Sequence, residues 1–223
     1  MKNKFRLFTV GSSQVLLALL AINANATLML DTGLVGGSGD VDNVLFNCDF
    51  GCVNGPNTTV TGFVNTTTEL VDFIGNEALM TPAIGQARIE AVDGAFTDIM
   101  WVLQNDTLGF EKVQFNIDAA VNGFADIILT DQFGTDFSFL NQALDGAGEN
   151  WFTGYSLDNQ VIVKATIAAT VAMTAISDLQ QVRLGLVERT PPTSLPEPGT
   201  LGLLLIGFFA ILAARIRKKQ LTI

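Results

Sequence analysis

Histidine is absent from the 223 residues, and this excludes more chemistry than any residue present supplies. Without it there is no Ser-His-Asp or Cys-His catalysis, and catalytic zinc loses its commonest ligand. Two cysteines are too few for a thiolate metal site without histidine partners. Tyrosine occurs once, at Tyr155, and tryptophan twice, at Trp101 and Trp151, so few side chains offer a flat amphipathic ring. Basic residues are scarce away from the ends, where Arg88, Lys112, Lys164, Arg183 and Arg189 face a large excess of Asp and Glu. The net charge is −10, and the central body is more acidic still because both ends are basic. Such a body does not bind nucleic acid by counterion release and is repelled by anionic membrane surfaces. Long amphipathic helical periodicity is lacking, and so is any internal repeat, which argues against a solenoid.

The ends carry address labels. Lys2, Lys4 and Arg6 precede an apolar stretch from Val15 to Ile22 and then Ala24-Asn25-Ala26. That order reads as a secretory signal peptide over 1–26, cut by signal peptidase after Ala26 to leave a mature start at Thr27. At the other end, residues 191–200 form a proline-rich stalk. An apolar transmembrane segment follows at 201–214, and 215–223 form a basic tail. The apolar segment covers about 21 Å as a helix against a hydrocarbon core of ~30 Å, so Arg215 and its neighbours must snorkel or the bilayer must thin. The positive-inside rule keeps this basic cluster cytoplasmic and puts the body across the membrane, in agreement with the signal peptide.

Pro196-Glu197-Pro198-Gly199-Thr200, the Leu/Gly/Ile/Phe run behind it, and Arg215, Arg217, Lys218 and Lys219 resemble the PEP-CTERM sorting domain of exported bacterial proteins. The resemblance implies that exosortase, a membrane-embedded cysteine protease, recognises Pro196, Glu197 and Pro198 and removes the hydrophobic segment. It further implies a Gram-negative-type bacterium that makes exopolysaccharide or biofilm matrix, with a membrane-anchored precursor delivered to the cell surface or the extracellular matrix. Gln220 to Ile223 extend beyond the usual terminus of that family.

Between the labels, residues 27–190 are enough for one domain with a real core. Phe110 to Asp118 places Val113, Phe115 and Ile117 on one face and Lys112, Gln114, Asn116 and Asp118 on the other, the period of a half-buried antiparallel strand. Val182, Leu184 and Leu186 alternate with Arg183. Val161, Val163, Ala165 and Ile167 share a face in the run from Gln160 to Ala175. Further strands are expected at Thr58 to Val64, Glu69 to Ile74, Gln86 to Val92, Asp98 to Leu103, Ala125 to Thr130 and Trp151 to Ser156. Asp93-Gly94, Asn122-Gly123 and Asp158-Asn159 suit tight hairpins, and Leu140 to Leu144 suits one helical turn. The expected fold is all-β, a single antiparallel sandwich of jelly-roll type. Cys48 and Cys52 bracket Asp49-Phe50-Gly51, and export favours a disulfide that rigidifies this one loop.

A glycan-binding sheet face would draw on Trp101, Trp151 or Tyr155, although the apolar neighbours of both tryptophans favour core packing. Asp40-Val41-Asp42-Asn43 has the spacing of a calcium loop without its remaining ligands, so solvated turn aspartates are the simpler reading and no metal is assigned. Asn57, Asn65 and Asn105 head Asn-x-Thr sequons, incidental in a bacterium. Paired carboxylates could hydrolyse glycosides, but so many aspartates make chance pairs certain. The expectation is a non-enzymatic, cofactor-free surface or matrix protein with a structural or adhesive role and exopolysaccharide as partner. A lectin-like module is the alternative, and a glycosidase the weaker one.

Overall fold

The computed structural model describes residues 27–82, 88–157, 160–169 and 176–189. The signal peptide with Ala24 and Ala26, the stalk, the Pro196-Glu197-Pro198 motif, the apolar segment and the basic tail lie outside the described residues, as does Asp158-Asn159. One compact unit spans Ala26–Thr193.

Among the described residues the structure is all-β and antiparallel. The strands are β1 (Thr27–Thr32), β2 (Asp42–Leu45), β3 (Asn57–Val64), β4 (Leu70–Met80), β5 (Arg88–Ala91) and β6 (Asp98–Leu103). They continue as β7 (Leu108–Ala119), β8 (Gly123–Asp131), β9 (Asp136–Leu144), β10 (Asn150–Leu157), β11 (Ile162–Ala169) and β12 (Ile176–Glu188). The pairing order is β1-β10-β7-β12-β2-β3-β4-β6-β11-β8-β9, with β5 bridging β12 and β4. A further contact of β7 with β11, Phe110 against Ile162, closes a circuit of seven strands and leaves β1, β10, β8 and β9 as extensions. Gly109 permits that closure, since a Cβ there would lie 2.6 Å from the Ile162 carbonyl oxygen.

The result is a sandwich. Its core is threaded by a chain of aromatic contacts from Phe46 through Phe73, Trp101 and Phe115 to Phe152, each with centroids 5.2–6.1 Å from the next. Leu129 of β8 packs on Gly154 of β10, so the β10-β7-β12 layer faces the β6-β11-β8 layer. Alternation explains which residues enter: Val113, Phe115 and Ile117 are fully buried, as are Val182 and Leu184.

Where alternation fails, a bulge intervenes. In β11 the core takes Ile162, Ala165 and Ile167 and leaves Val163 half-buried, because the register shifts between Ile162 and Lys164. In β12, Leu179 and Val182 both point inward three residues apart, and Gln181 absorbs the extra residue at φ 50°.

Three local expectations are corrected. Leu140 to Leu144 belongs to the edge strand β9 rather than a helical turn, because Phe137 and Phe139 alternate inward against the core. Asn122-Gly123 joins β7 to β8, strands that do not pair, and so forms a corner between layers. Asp93-Gly94 likewise separates the unpaired β5 and β6. The hairpins lie elsewhere. β3 and β4 turn through Thr68 at φ 64°. β8 and β9 turn through Gly134, where Asp131 Oδ1 accepts hydrogen bonds from the amides of Phe133 and Thr135 at 2.9 and 2.8 Å.

Candidate functional site

The outward face of the β10-β7-β12 layer holds the most concentrated polar chemistry of the described domain. Strand register sets Tyr155 beside Lys112, Thr153 beside Gln114, and Trp151 beside Asn116. On the other flank it sets Arg183 beside Gln114, Gln180 beside Asn116 and Asp178 beside Asp118. These side chains alternate with the core residues, so a well-packed interior obliges them to point away from it.

A glycine-rich strap, residues 33–40, lies across the middle of this face. Thr153 Oγ1 donates to the Gly33 carbonyl at 2.6 Å and accepts from the Val35 amide at 3.1 Å. Gln114 Nε2 donates to the Gly37 carbonyl at 2.8 Å, and Lys112 Nζ reaches that carbonyl at 3.0 Å and Asp40 Oδ1 at 2.9 Å. Gly36, at φ 72°, allows the approach, because a Cβ there would stand 3.3 Å from Lys112 Nζ. The strap buries Lys112 and Gln114, which alternation alone would leave half-solvated.

Each side of the strap is concave. On one side Tyr155, Lys112, Asp40 and Glu111 line a hollow of about 370 Å³. The Tyr155 hydroxyl donates to Asp31 Oδ2 at 3.0 Å, and that bond, with burial and the Asp31 charge, raises the phenol above its ordinary pKa. On the other side Trp151 lines a hollow of about 280 Å³ with Thr32, Gly33, Ala143 and Glu149. Trp151 Nε1 donates to Glu149 Oε2 at 2.9 Å, and the Arg183 guanidinium sits 5.1 Å from the ring centroid. Arg183 is itself fixed by donating from Nε to Asn43 Oδ1 at 3.1 Å and from Nη2 to Gln181 Oε1 at 3.2 Å.

The structure separates the three aromatic candidates. Trp101 is fully buried in the aromatic chain and faces no ligand. Trp151 and Tyr155 are half-buried on the outward face. Sequence reasoning placed Trp151 in the core because Phe152 adjoins it. Phe152 takes the inward position, and alternation along β10 then turns Trp151 outward, a signal the sequence held. Nothing in the sequence alone pointed to Arg183, Glu149 or Asn116 as its companions.

Asp40 and Asp42 are not brought together. Asp40 pairs with Lys112, while Asp42 accepts from Thr66 Oγ1 at 2.6 Å. Cys48 and Cys52 form a disulfide with the sulfurs 2.06 Å apart, in a loop whose Phe50 ring packs on Phe63.

Carboxyl groups with raised pKa are spread over the domain. Burial raises Asp98. Glu77 is raised by burial first, then by its hydrogen bond to Asp93 and by the Asp93 charge. Asp178, 1% exposed, is raised chiefly by burial; the Gln180 hydrogen bond and the Arg88 charge pull it down in part, and Asp118 and Glu90 add to the rise.

Three solved structures are similar to this chain at low identity and low TM-score. BiXyn10A CBM1 in its apo form is 12% identical over 67% of this chain and 98% of its own, with a TM-score of 0.24. Two variants of CBM29-2, from work on ligand recognition by family 29 carbohydrate binding modules, are 12% and 10% identical. They cover 78% and 75% of this chain and 99% and 100% of their own, each with a TM-score of 0.23. No curated protein matches the chain. The PEP-CTERM protein-sorting motif matches residues 194–218, so the chain carries the sorting tail of an exported protein processed by exosortase.

Proposed function

We propose that this exported protein is a non-catalytic adhesive component of the cell surface or extracellular matrix, and that its outward β10-β7-β12 face holds a neutral exopolysaccharide. The observation that carries the reading is Trp151: a half-buried indole, fixed by Glu149 through its N–H and by Arg183 over its ring, beside a hollow rimmed with polar groups. A rigid ring with a few oriented polar groups is the usual composition of a small-ligand surface, and the fixed geometry lowers the ordering cost on binding.

The charge balance narrows the ligand class. Arg183 is already engaged, and the acidic body repels a uronate-rich or otherwise anionic polymer. Neutral sugars incur no such penalty.

Two of the three carboxyl groups with raised pKa are poorly placed for glycoside hydrolysis. Glu77 and Asp93 share a hydrogen bond, whereas the carboxyl pair of a glycosidase stands about 5–9.5 Å apart with the sugar between. Asp178 is sealed from any substrate.

The test is gel retardation of the full chain by neutral matrix polysaccharide from the producing bacterium. The parent is expected to be retarded without releasing reducing ends. Trp151→Ala should migrate as in an empty gel, and an anionic polymer should retard neither. Equal retardation of parent and Trp151→Ala would remove this face from the reading.

A further inference from the structure

A second hollow, of about 370 Å³, lies at the far end of the same face, lined by Asn116, Asp118, Glu149, Gln180, Gly146 and Gly148. Its lining side chains are rich in oxygen acceptors and include no Lys or Arg. Asn116 is 1% exposed, yet its Oδ1 accepts no hydrogen bond. A buried amide oxygen without a donor costs about 1–3 kcal/mol unless something fills the gap. The neighbouring strand repeats the deficit, since Asp178 Oδ1 is also buried without a partner and stands in register with Asp118.

Gln180 stands beside Asn116 on the neighbouring strand and lines the same hollow. Glu149 takes the Trp151 N–H on Oε2, leaving Oε1. Asn150 Nδ2 donates to the Asp145, Gly148 and Ile117 carbonyls and fixes the glycine loop that forms the outer wall. Two carboxylates and the side-chain amides of Asn116 and Gln180 therefore line a roomy space, and among the described residues no Lys or Arg forms an ion pair with Asp118.

We propose that this hollow binds a divalent cation of the calcium type, held by Asp118, Glu149, Asn116 and Gln180. Hard cations take oxygen ligands, and calcium accepts six to eight of them in irregular geometry, with water completing the set. Magnesium demands a tighter octahedron than so wide a space imposes. The site is distinct from the Asp40-Val41-Asp42 segment, whose carboxylates are engaged by Lys112 and Thr66. It is also independent of the glycan reading, because its readout needs no sugar.

The experiment is a calcium titration of the chelator-treated full chain in detergent, followed by thermal unfolding, alongside terbium luminescence excited through tryptophan. Affinities of about 10⁻⁴–10⁻³ M are usual for extracellular calcium modules. Saturating calcium should then raise the unfolding midpoint by roughly 3–8 °C, and magnesium should raise it less. Terbium should luminesce through nearby Trp151, be displaced by calcium, and lose signal in Trp151→Phe while the calcium shift persists. Asp118→Asn and Glu149→Gln should each abolish the calcium shift. Glu149 is exposed, so its variant folds even if Asp118→Asn does not. No midpoint change at about 10 mM calcium, or the same change in the parent and in Glu149→Gln, overturns the proposal.

Discussion

The two faces of β7 are both buried, and for opposite reasons. Inward, Val113, Phe115 and Ile117 meet apolar partners from the facing layer, where contact is close, dry and non-directional. Outward, Lys112, Gln114 and Asn116 are covered by the strap and by the loop around Gly146, and the strap is held to Lys112 and Gln114 by hydrogen bonds and an ion pair. The inner face leaves Trp101 Nε1 as an orphaned polar atom, fixed inside the core with no route to a ligand. The outer face leaves Gln114 Oε1, Asn116 Oδ1 and Asp178 Oδ1 without donors, and of these Asn116 lines a hollow. Apolar packing is concentrated on one side of the strand and polar hydrogen-bonding groups on the other.

The largest effect should come from the inner side. Phe115 touches both Trp101 and Phe152, so Phe115→Ala cuts the aromatic chain between these two rings. It should cost about 3–5 kcal/mol, read as a lower urea midpoint. A loss below about 1 kcal/mol would mean that the two layers close over the gap and that the inner face is less rigid than described.

Removing the outer seal should cost less and act locally. Lys112→Met keeps the side-chain stem but loses the bonds to Gly37 and Asp40, and should lower stability by about 1–2 kcal/mol. Because Thr153 and Gln114 still hold the strap, the global fold should persist while cleavage between Gly36 and Gly37 in limited proteolysis rises several-fold. Uniform resistance to protease would show that Lys112 is dispensable to the strap.

This asymmetry explains what the sequence disclosed. The all-β class, the strand Asp98 to Leu103 and the inward set Val113, Phe115 and Ile117 follow from local alternation, which is strong where one face must be dry. Strand β9 was hidden because only Phe137, Phe139 and its last residue, Leu144, reach the core, and an edge strand with one thin apolar stripe has little periodic signal. The bulges at Val163 and Gln181 depend on curvature demanded by partners far away in sequence. The outer site was least legible. Its cover comes from residues 33–40, more than seventy positions from Lys112 and Gln114, and a loop of glycines and short polar residues carries no pattern that announces where it will lie.

The smallest effect concerns Asp178, and it tests whether the outer face is as sealed as the inner. Burial holds its carboxyl above the ordinary aspartate value even though Arg88 donates to Oδ2 at 3.1 Å. The folded chain therefore binds this proton more tightly than the unfolded chain. The stability linked to the group is fully present below the unfolded aspartate value and is lost as pH rises through the raised, folded one. Asp178→Asn stays neutral throughout, so the unfolding free energy of the parent should gain on that of the variant as pH falls from about 7 to about 4. The raised values of Glu77 and Asp98 belong to both proteins and cancel in the difference. A difference that stays flat would mean that water reaches Asp178. One that moves the other way would mean that the Arg88 ion pair outweighs burial, and the outer face would then be an exposed charge network rather than a second, polar interior.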